Sequence, residues 1–332
     1  MFRKHRSFVS ALALSLSMAV PVAADSVSGA YLAGRYASMR SDFAEAARYY
    51  GEALAKEPNN VEFQESTVLA YLSLGDIDKA LPLARVITSG EQSSQVAYLV
   101  TTAGMAQAED YQGLLDQNAD TGGIGPWVDG LIKAWAYVGI GDMTAMDPEL
   151  ETLMNVLKGD EPVSFGQVPD AKAGIAEVFF TFASVLRNES AGDHYVLLYS
   201  RIARYLRPDH IDDLLLTADL LENIGQYDLA MQELQAVPAD NPAYHAAELG
   251  RAAILRRSDK PEQAIEVLKQ LTRSYGELPS VHSALGDALR AQDDFTGAIK
   301  AYGRALELTP KTNPQRWVLL YARGIAEERS GD

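Results

Sequence analysis

The sequence predicts an all-α fold in which antiparallel helix pairs stack into an α-solenoid. The first observation is a period of 34 residues, which separates Ala230 from Ala264 and Ala264 from Ala298. The second is that apolar residues within a period recur at helical spacing, as in segments 281–290 and 295–308. The third is that Gly or Asp turn signals lie between such segments. A helical hairpin repeated at this period is typical of solenoid proteins.

Residues at three further positions of the 34-residue repeat also recur in the C-terminal half. We call each set of residues that share one repeat position a column. Small residues fill one column, leucines fill another, and proline or glycine fills the third. The columns are Ser184, Ala218, Ala252 and Gly286; Leu221, Leu255 and Leu289; and Pro208, Pro242, Gly276 and Pro310. They define the units 177–210, 211–244, 245–278 and 279–312. Because small side chains let two helices approach closely, we expect a larger residue at Gly286 to force its helices apart.

Two more units near the N-terminus, 27–60 and 61–94, follow the same register. The matching residues are Gly34, Ala46, Tyr50, Ala53 and Pro58 in the first unit, and Tyr71 and Ala80 in the second. The sequence therefore predicts helical hairpins at both ends of the chain.

The middle of the chain, residues 95–176, departs from this pattern because it spans two periods plus 14 residues. Helical segments are predicted at 96–108, 111–116, 127–138 and 149–157, with long loops at 118–126 and 159–170. We interpret this region as a degenerate stretch of the same solenoid, in which the long loops are candidate functional insertions. The alternative is a hinge that divides the array into two rigid arms.

Residues 313–332 are predicted to form the first helix of an incomplete further repeat. Trp317, Leu320 and Tyr321 would lie on its terminal face, and a turn signal follows at Gly331. We favour a chain that continues beyond residue 332. The alternative is a single helix that caps the array.

Residues 1–24 have the three-part pattern of a secretory signal. Arg3, Lys4 and Arg6 precede an apolar run over 8–20, and Val22 and Ala24 are the small residues before a cleavage site. The run is too short for a membrane-spanning helix, which needs about 20 residues. We expect cleavage after Ala24 and a soluble periplasmic product without a membrane span. The alternative is an uncleaved anchor.

Two of the units resemble a tetratricopeptide repeat (TPR). The residues that carry the resemblance are Gly286, Phe295, Ala298, Tyr302, Ala305 and Pro310 in one unit, and Tyr31, Gly34, Phe43, Ala46, Tyr50, Ala53 and Pro58 in the other. Units 211–244 and 245–278 match moderately, and 61–94 and 177–210 match weakly. The resemblance implies a right-handed superhelix whose first helices line a concave face, with repeat positions 2, 5, 9 and 12 directed into it.

Carried over to this chain, those positions give the candidate partner-binding residues. They are Tyr31, Arg35, Leu69, Leu72, Leu249, Arg256, Asp287 and Arg290. The arginines are basic points on an acidic protein, and the leucines offer apolar contact. Such a lining suits an extended peptide or a partner helix. The alternative is that each of these residues is an ordinary solvated side chain.

Composition and motifs exclude several classes of function. Acidic residues outnumber basic ones 45 to 29, which disfavours nucleic-acid binding over the whole surface. Cysteine is absent, and no phosphate-binding loop, nucleophile elbow or zinc-protease motif occurs. The acidic group around His210 could be a metal site, but we interpret it as the start of a helix. We therefore expect no enzyme activity, no cofactor and no metal.

The pattern favours a non-catalytic periplasmic scaffold or adaptor that binds a protein or peptide partner through its concave face, in cell-envelope assembly. The alternative is a non-catalytic region of a larger enzyme or secretion-machinery protein truncated at residue 332.

Overall fold

The computed structural model describes residues 26–90, 94–117, 123–142 and 168–331, and these residues form sixteen α-helices and no strand. The helices of the N-terminal half are α1 (Val27–Met39), α2 (Phe43–Lys56), α3 (Val61–Leu74), α4 (Ile77–Thr88), α5 (Gln95–Gln107), α6 (Tyr111–Asp116) and α7 (Pro126–Ile140). Those of the C-terminal half are α8 (Ala171–Asn188), α9 (Asp193–Leu206), α10 (Ile211–Asn223), α11 (Tyr227–Gln235), α12 (Tyr244–Arg257), α13 (Pro261–Ser274), α14 (Pro279–Ala291), α15 (Phe295–Leu308) and α16 (Arg316–Ser330). Each described helix packs against the next, so the all-α prediction of paired helices is confirmed.

Local sequence signals set the ends of these helices. The side chains of Asp42, Asn60 and Asp294 each accept a hydrogen bond from a backbone N–H in the first turn of the helix that follows. Gly75 ends α3 with a φ of 84°, a left-handed conformation that glycine adopts without strain. The predicted segment 149–157 and the predicted signal at 1–24 lie outside the described residues.

In the hairpins α1–α2 and α14–α15, a tyrosine ring of the second helix packs against a glycine of the first helix. A Cβ atom added at Gly34 would lie 2.6 Å from Tyr50 Cδ1, and one added at Gly286 would lie 2.6 Å from Tyr302 Cε1. In both hairpins the tyrosine follows the glycine by 16 residues. The column of small residues therefore marks the place where the two helices of a hairpin touch.

Gly286→Leu is expected to lower the free energy of unfolding by about 1–3 kcal/mol, because the new side chain would overlap the Tyr302 ring. Ser283→Leu, one turn earlier on α14, lies on an unburied side and should change it by about 0.5 kcal/mol or less. Urea unfolding of the two variants measures the difference. Equal shifts of their midpoints would contradict this packing.

Helix α9 departs from the nearest-neighbour packing expected of a solenoid. It packs against α3 and α5 of the N-terminal half as well as against α8 and α10. Three polar contacts join it to the first two hairpins: Arg201 Nε donates to the Ser73 carbonyl (3.1 Å), Tyr205 Oη donates to Asp78 Oδ1 (2.7 Å), and His194 Nε2 lies 2.8 Å from Ser41 Oγ. A single apolar core includes side chains from both halves, such as Leu72 and Leu197. The alternative of a hinge between two separate arms is therefore wrong.

A buried polar network lies where α9, α10 and α11 meet. Glu233 accepts from Arg201 Nη1 (2.6 Å) and from Arg204 Nε (2.9 Å). Ser200 Oγ donates to Asp213 Oδ1 (2.9 Å), whereas Asp213 Oδ2 is buried without a hydrogen-bond partner among the described residues. Burial is the main reason why the pKa of Asp213 rises to about 8.

None of the described helices is both long and apolar enough to cross a membrane.

Candidate partner-binding surface

Four first helices in the C-terminal half, α10, α12, α14 and α16, form one continuous surface. Each contacts the next one in this series directly. None of the residues at repeat positions 2, 5, 9 and 12 of the four units that begin at 211, 245, 279 and 313 is buried. We call this surface the C-terminal face; its residues are Asp212, Leu215, Asp219, Glu222, Ala246, Leu249, Ala253, Arg256, Ser280, Ser283, Asp287, Arg290, Pro314, Trp317, Tyr321 and Gly324.

Arg290 and Asp287, two of the predicted site residues, are brought together by Tyr302. The Tyr302 hydroxyl accepts from Arg290 Nε (3.1 Å) and donates to Asp287 Oδ1 (2.6 Å). Burial, followed by the hydrogen bond to Asp287, raises the pKa of Tyr302 to about 12. The arginine and aspartate side chains remain 37% and 41% exposed, so both can still reach a partner.

Arg256 and Leu249 lie on α12, the neighbouring first helix. Arg256 is exposed, and the adjacent Arg257 forms the ion pair with Glu222 (3.2 Å). Leu249 is partly buried against the apolar core between α12 and α14. The cation of Arg256 is therefore available to a partner, whereas Leu249 offers only part of its side chain.

The other predicted site residues lie on α1 and α3 in the N-terminal half. Tyr31 is held in place by its hydroxyl, which donates to Glu62, and by ring contacts with Phe63 and Tyr50 (centroids 5.1 and 5.9 Å apart). The hydrogen bond to Glu62 is the largest cause of a raised Tyr31 pKa. Arg35 and Leu69 are exposed.

The prediction that Leu72 is a contact residue is wrong. Its side chain is 0% exposed and belongs to the apolar core that α9 shares with the N-terminal half. Arg201 of α9 bonds the carbonyl of the next residue, Ser73. The repeat register places Leu72 on the surface. Because α9 packs on this end of α3, the Leu72 side chain lies in the core instead.

Trp317 and Tyr321, which are predicted with Leu320 on the terminal face of the array, also hold repeat positions 5 and 9 of the C-terminal face. They are 64% and 66% exposed. Each follows a face residue of α14, Ser283 or Asp287, by 34 residues. Continuing the 34-residue register beyond residue 312 would have found both.

A cavity of about 320 Å³ opens between the start of α14, the loop after α15 and the start of α16. Its apolar walls come from Pro279, Pro310, Val318 and Leu319, and Ser283 of the C-terminal face also lines it. We call this cavity the α14–α16 pocket. It adds a concave apolar site to a face that otherwise carries polar, aliphatic and aromatic side chains.

The acidic group around His210 is the start of α10, as the helix-start interpretation predicted. His210 Nδ1 accepts from the Asp213 backbone N–H (3.2 Å), and His210 Nε2 lies 2.9 Å from Glu177 Oε2. Since Nδ1 is the acceptor, Nε2 carries the proton and donates to Glu177. Within the described part of the chain, no three His, Cys, Asp or Glu side chains are grouped so that they could hold a metal ion.

Comparisons with known proteins agree with the repeat pattern. Family models described as tetratricopeptide repeat match residues 31–95 and 279–312. No curated protein matches the sequence.

Three solved structures illustrate the similarity to known folds. A MamA chain from Desulfovibrio magneticus RS-1 is 18% identical over 47% of this chain and 86% of its own, with a TM-score of 0.39. PilF of Pseudomonas aeruginosa is 20% identical over 62% and 88%, with a TM-score of 0.37. A tetratricopeptide repeat protein from Parabacteroides merdae is 12% identical over 90% and 98%, with a TM-score of 0.38. No functional conclusion follows from similarity at this level.

Proposed function

Because the chain is a tetratricopeptide-repeat protein, we propose that it is a non-catalytic scaffold whose C-terminal face binds a segment of a protein partner. The observation that carries this proposal is the run of unburied repeat positions across four first helices in mutual contact. Stacked repeats present extended surfaces of this kind to their partners. The N-terminal half is a poorer candidate, since α9 packs on α3 and α5 and buries Leu72.

The charge-reversal variant Arg256→Glu with Arg290→Glu is expected to reduce capture of the partner from a periplasmic extract by about ten-fold or more. The two arginines share one repeat position on adjacent first helices, so they can bind carboxylates of a single partner segment. Quantified recovery of partner proteins on the immobilised full chain measures the effect.

Arg273→Glu is the matched control, because Arg273 is exposed on the second helix α13, outside the C-terminal face. Arg273→Glu should keep the urea midpoint of the unchanged chain. The double variant loses the contacts of Arg290 with Tyr302 and Asp287, so its midpoint should fall, while its circular dichroism spectrum should remain that of the folded protein. If the double variant retains its partners as well as the control does, the site does not lie at these arginines.

We also propose that the protein works in the periplasm, in cell-envelope assembly. The proposal is supported by the positive, apolar and small-residue segments of 1–24. N-terminal sequencing of the exported protein should begin at Asp25. A mature protein that still begins at Met1 would contradict both the cleavage and the soluble periplasmic location.

A further inference from the structure

We propose that the partner segment is an extended peptide that places one apolar side chain in the α14–α16 pocket and one carboxylate on Arg290, about three residues away. This inference rests on the proposed function and specifies the chemistry of the partner. It concerns the part of the C-terminal face that α14 and α16 build.

The lining of the pocket selects an uncharged apolar group. Two prolines, Val318 and Leu319 form its walls, and the remaining lining residues are neutral and polar, such as Ser280 and Thr309. A charged group would lose hydration in the pocket, and none of the lining residues carries a charge. The nearby Arg316 guanidinium donates to the carbonyls of Leu306 and Thr309. The volume of about 320 Å³ leaves room for one large side chain.

Helix α16, which supplies Val318 and Leu319 to the pocket, also carries exposed apolar side chains. Trp317, Val318, Leu320 and Tyr321 lie within five residues and are all exposed. Trp317 and Tyr321 are four residues apart and therefore share one side of α16. Exposed apolar side chains that lie together are typical of an interaction site. Aromatic residues are also enriched among the anchor residues of protein interfaces.

The position of Arg290 sets the spacing in the partner. Ser283 and Arg290 lie on one side of α14 and are seven residues apart, which is about 10 Å along a helix. An extended peptide covers that distance in about three residues. The guanidinium is held by Tyr302 and Asp287 yet partly exposed, and it can bind a carboxylate by charge-assisted hydrogen bonds.

The charges of the molecule restrict where a carboxylate of the partner can bind. The chain carries a net charge of −16, so an acidic segment is repelled by most of its surface. Arg290 and Arg256 offer such a segment attraction at neighbouring points of the C-terminal face. Complementary charge of this kind fixes the register of a partner on the face.

The test uses the full chain and fluorescein-labelled synthetic peptides with a Gly/Ser background, one Phe and one Asp. The number of residues from Phe to Asp is varied in both directions, and binding is followed by fluorescence anisotropy. We expect the tightest binding at a spacing of three residues. Replacing either Phe or Asp by Ser in that peptide should weaken binding about ten-fold.

Two variants test whether the Phe of the peptide binds in the pocket and whether its Asp binds to Arg290. Ser283→Leu fills the pocket and should remove the advantage of Phe, while Arg290→Gln should remove the advantage of Asp. Ser274→Leu, at an exposed position on α13, is the control and should change neither.

The inference would be overturned if the affinity did not depend on the Phe–Asp spacing. It would also be overturned if Ser283→Leu left the affinity unchanged. Failure of every peptide to bind would overturn it as well. If partner capture still depends on Arg256 and Arg290, these results leave the proposed function intact. If partner capture does not depend on these two arginines, the proposed function is contradicted as well.

Discussion

Replacing Glu233 by Ala is expected to lower the free energy of unfolding by about 3–5 kcal/mol, because it leaves the charge of Arg201 buried and unpaired. The side chains of Arg201 and Glu233 are only 4% and 11% exposed. The same carboxylate also binds Arg204, so one change removes two ion pairs of α9. Urea unfolding of the variant, followed by circular dichroism, measures the loss.

Glu307→Ala is the matched control, since it breaks the exposed ion pair with Arg304. Surface pairs contribute about 0–1 kcal/mol, so this variant should be nearly as stable as the unchanged chain. If Glu233→Ala also lost less than about 1 kcal/mol, the ion pairs at Glu233 would not hold α9 against the N-terminal half.

Asp213→Asn is expected to stabilise the protein progressively more as the pH rises from 5 to 7. Burial raises the pKa of Asp213 from 3.8 to about 8, against the opposing charges of Arg204 and Arg201. Between these values the folded state keeps a proton that the unfolded state releases, so stability falls as the pH rises through this window. The loss is about 1.4 kcal/mol per pH unit, and an asparagine avoids it.

The asparagine side chain can still accept the hydrogen bond from Ser200, so the shape of the network is kept. The measurement is the difference in unfolding free energy between variant and unchanged chain at pH 5, 6 and 7. A constant difference for Asp213→Asn would mean that this carboxyl is already ionised in the folded protein.

The hairpins could be predicted from the sequence because they depend on local patterns. Gly286 and Tyr302 are 16 residues apart, and their contact recurs with Gly34 and Tyr50 in an independent unit. The turn at Gly75 follows from the positive φ that glycine allows. Such features need only the residues of one repeat.

The packing of α9 could not be predicted in this way. Arg201 contacts Ser73, which lies 128 residues earlier, and a 34-residue register describes only neighbouring repeats. This contact is the reason why the prediction for Leu72 was wrong. The α14–α16 pocket could not be predicted either, because three separate segments of the chain build it. The 34-residue register does place Trp317 and Tyr321 on the C-terminal face.

The central claim is that a partner binds the first helices of the C-terminal half, and site-specific photo-crosslinking tests it most directly. A photoreactive amino acid is placed at Ala253 on α12, at Ser283 on α14, or at the exposed Gln263 on the second helix α13. After irradiation in an extract of the source cells, covalent adducts with the partner are expected from Ala253 and Ser283 and not from Gln263. Adducts from Gln263 alone would contradict the account, because the partner would then lie on the second helices.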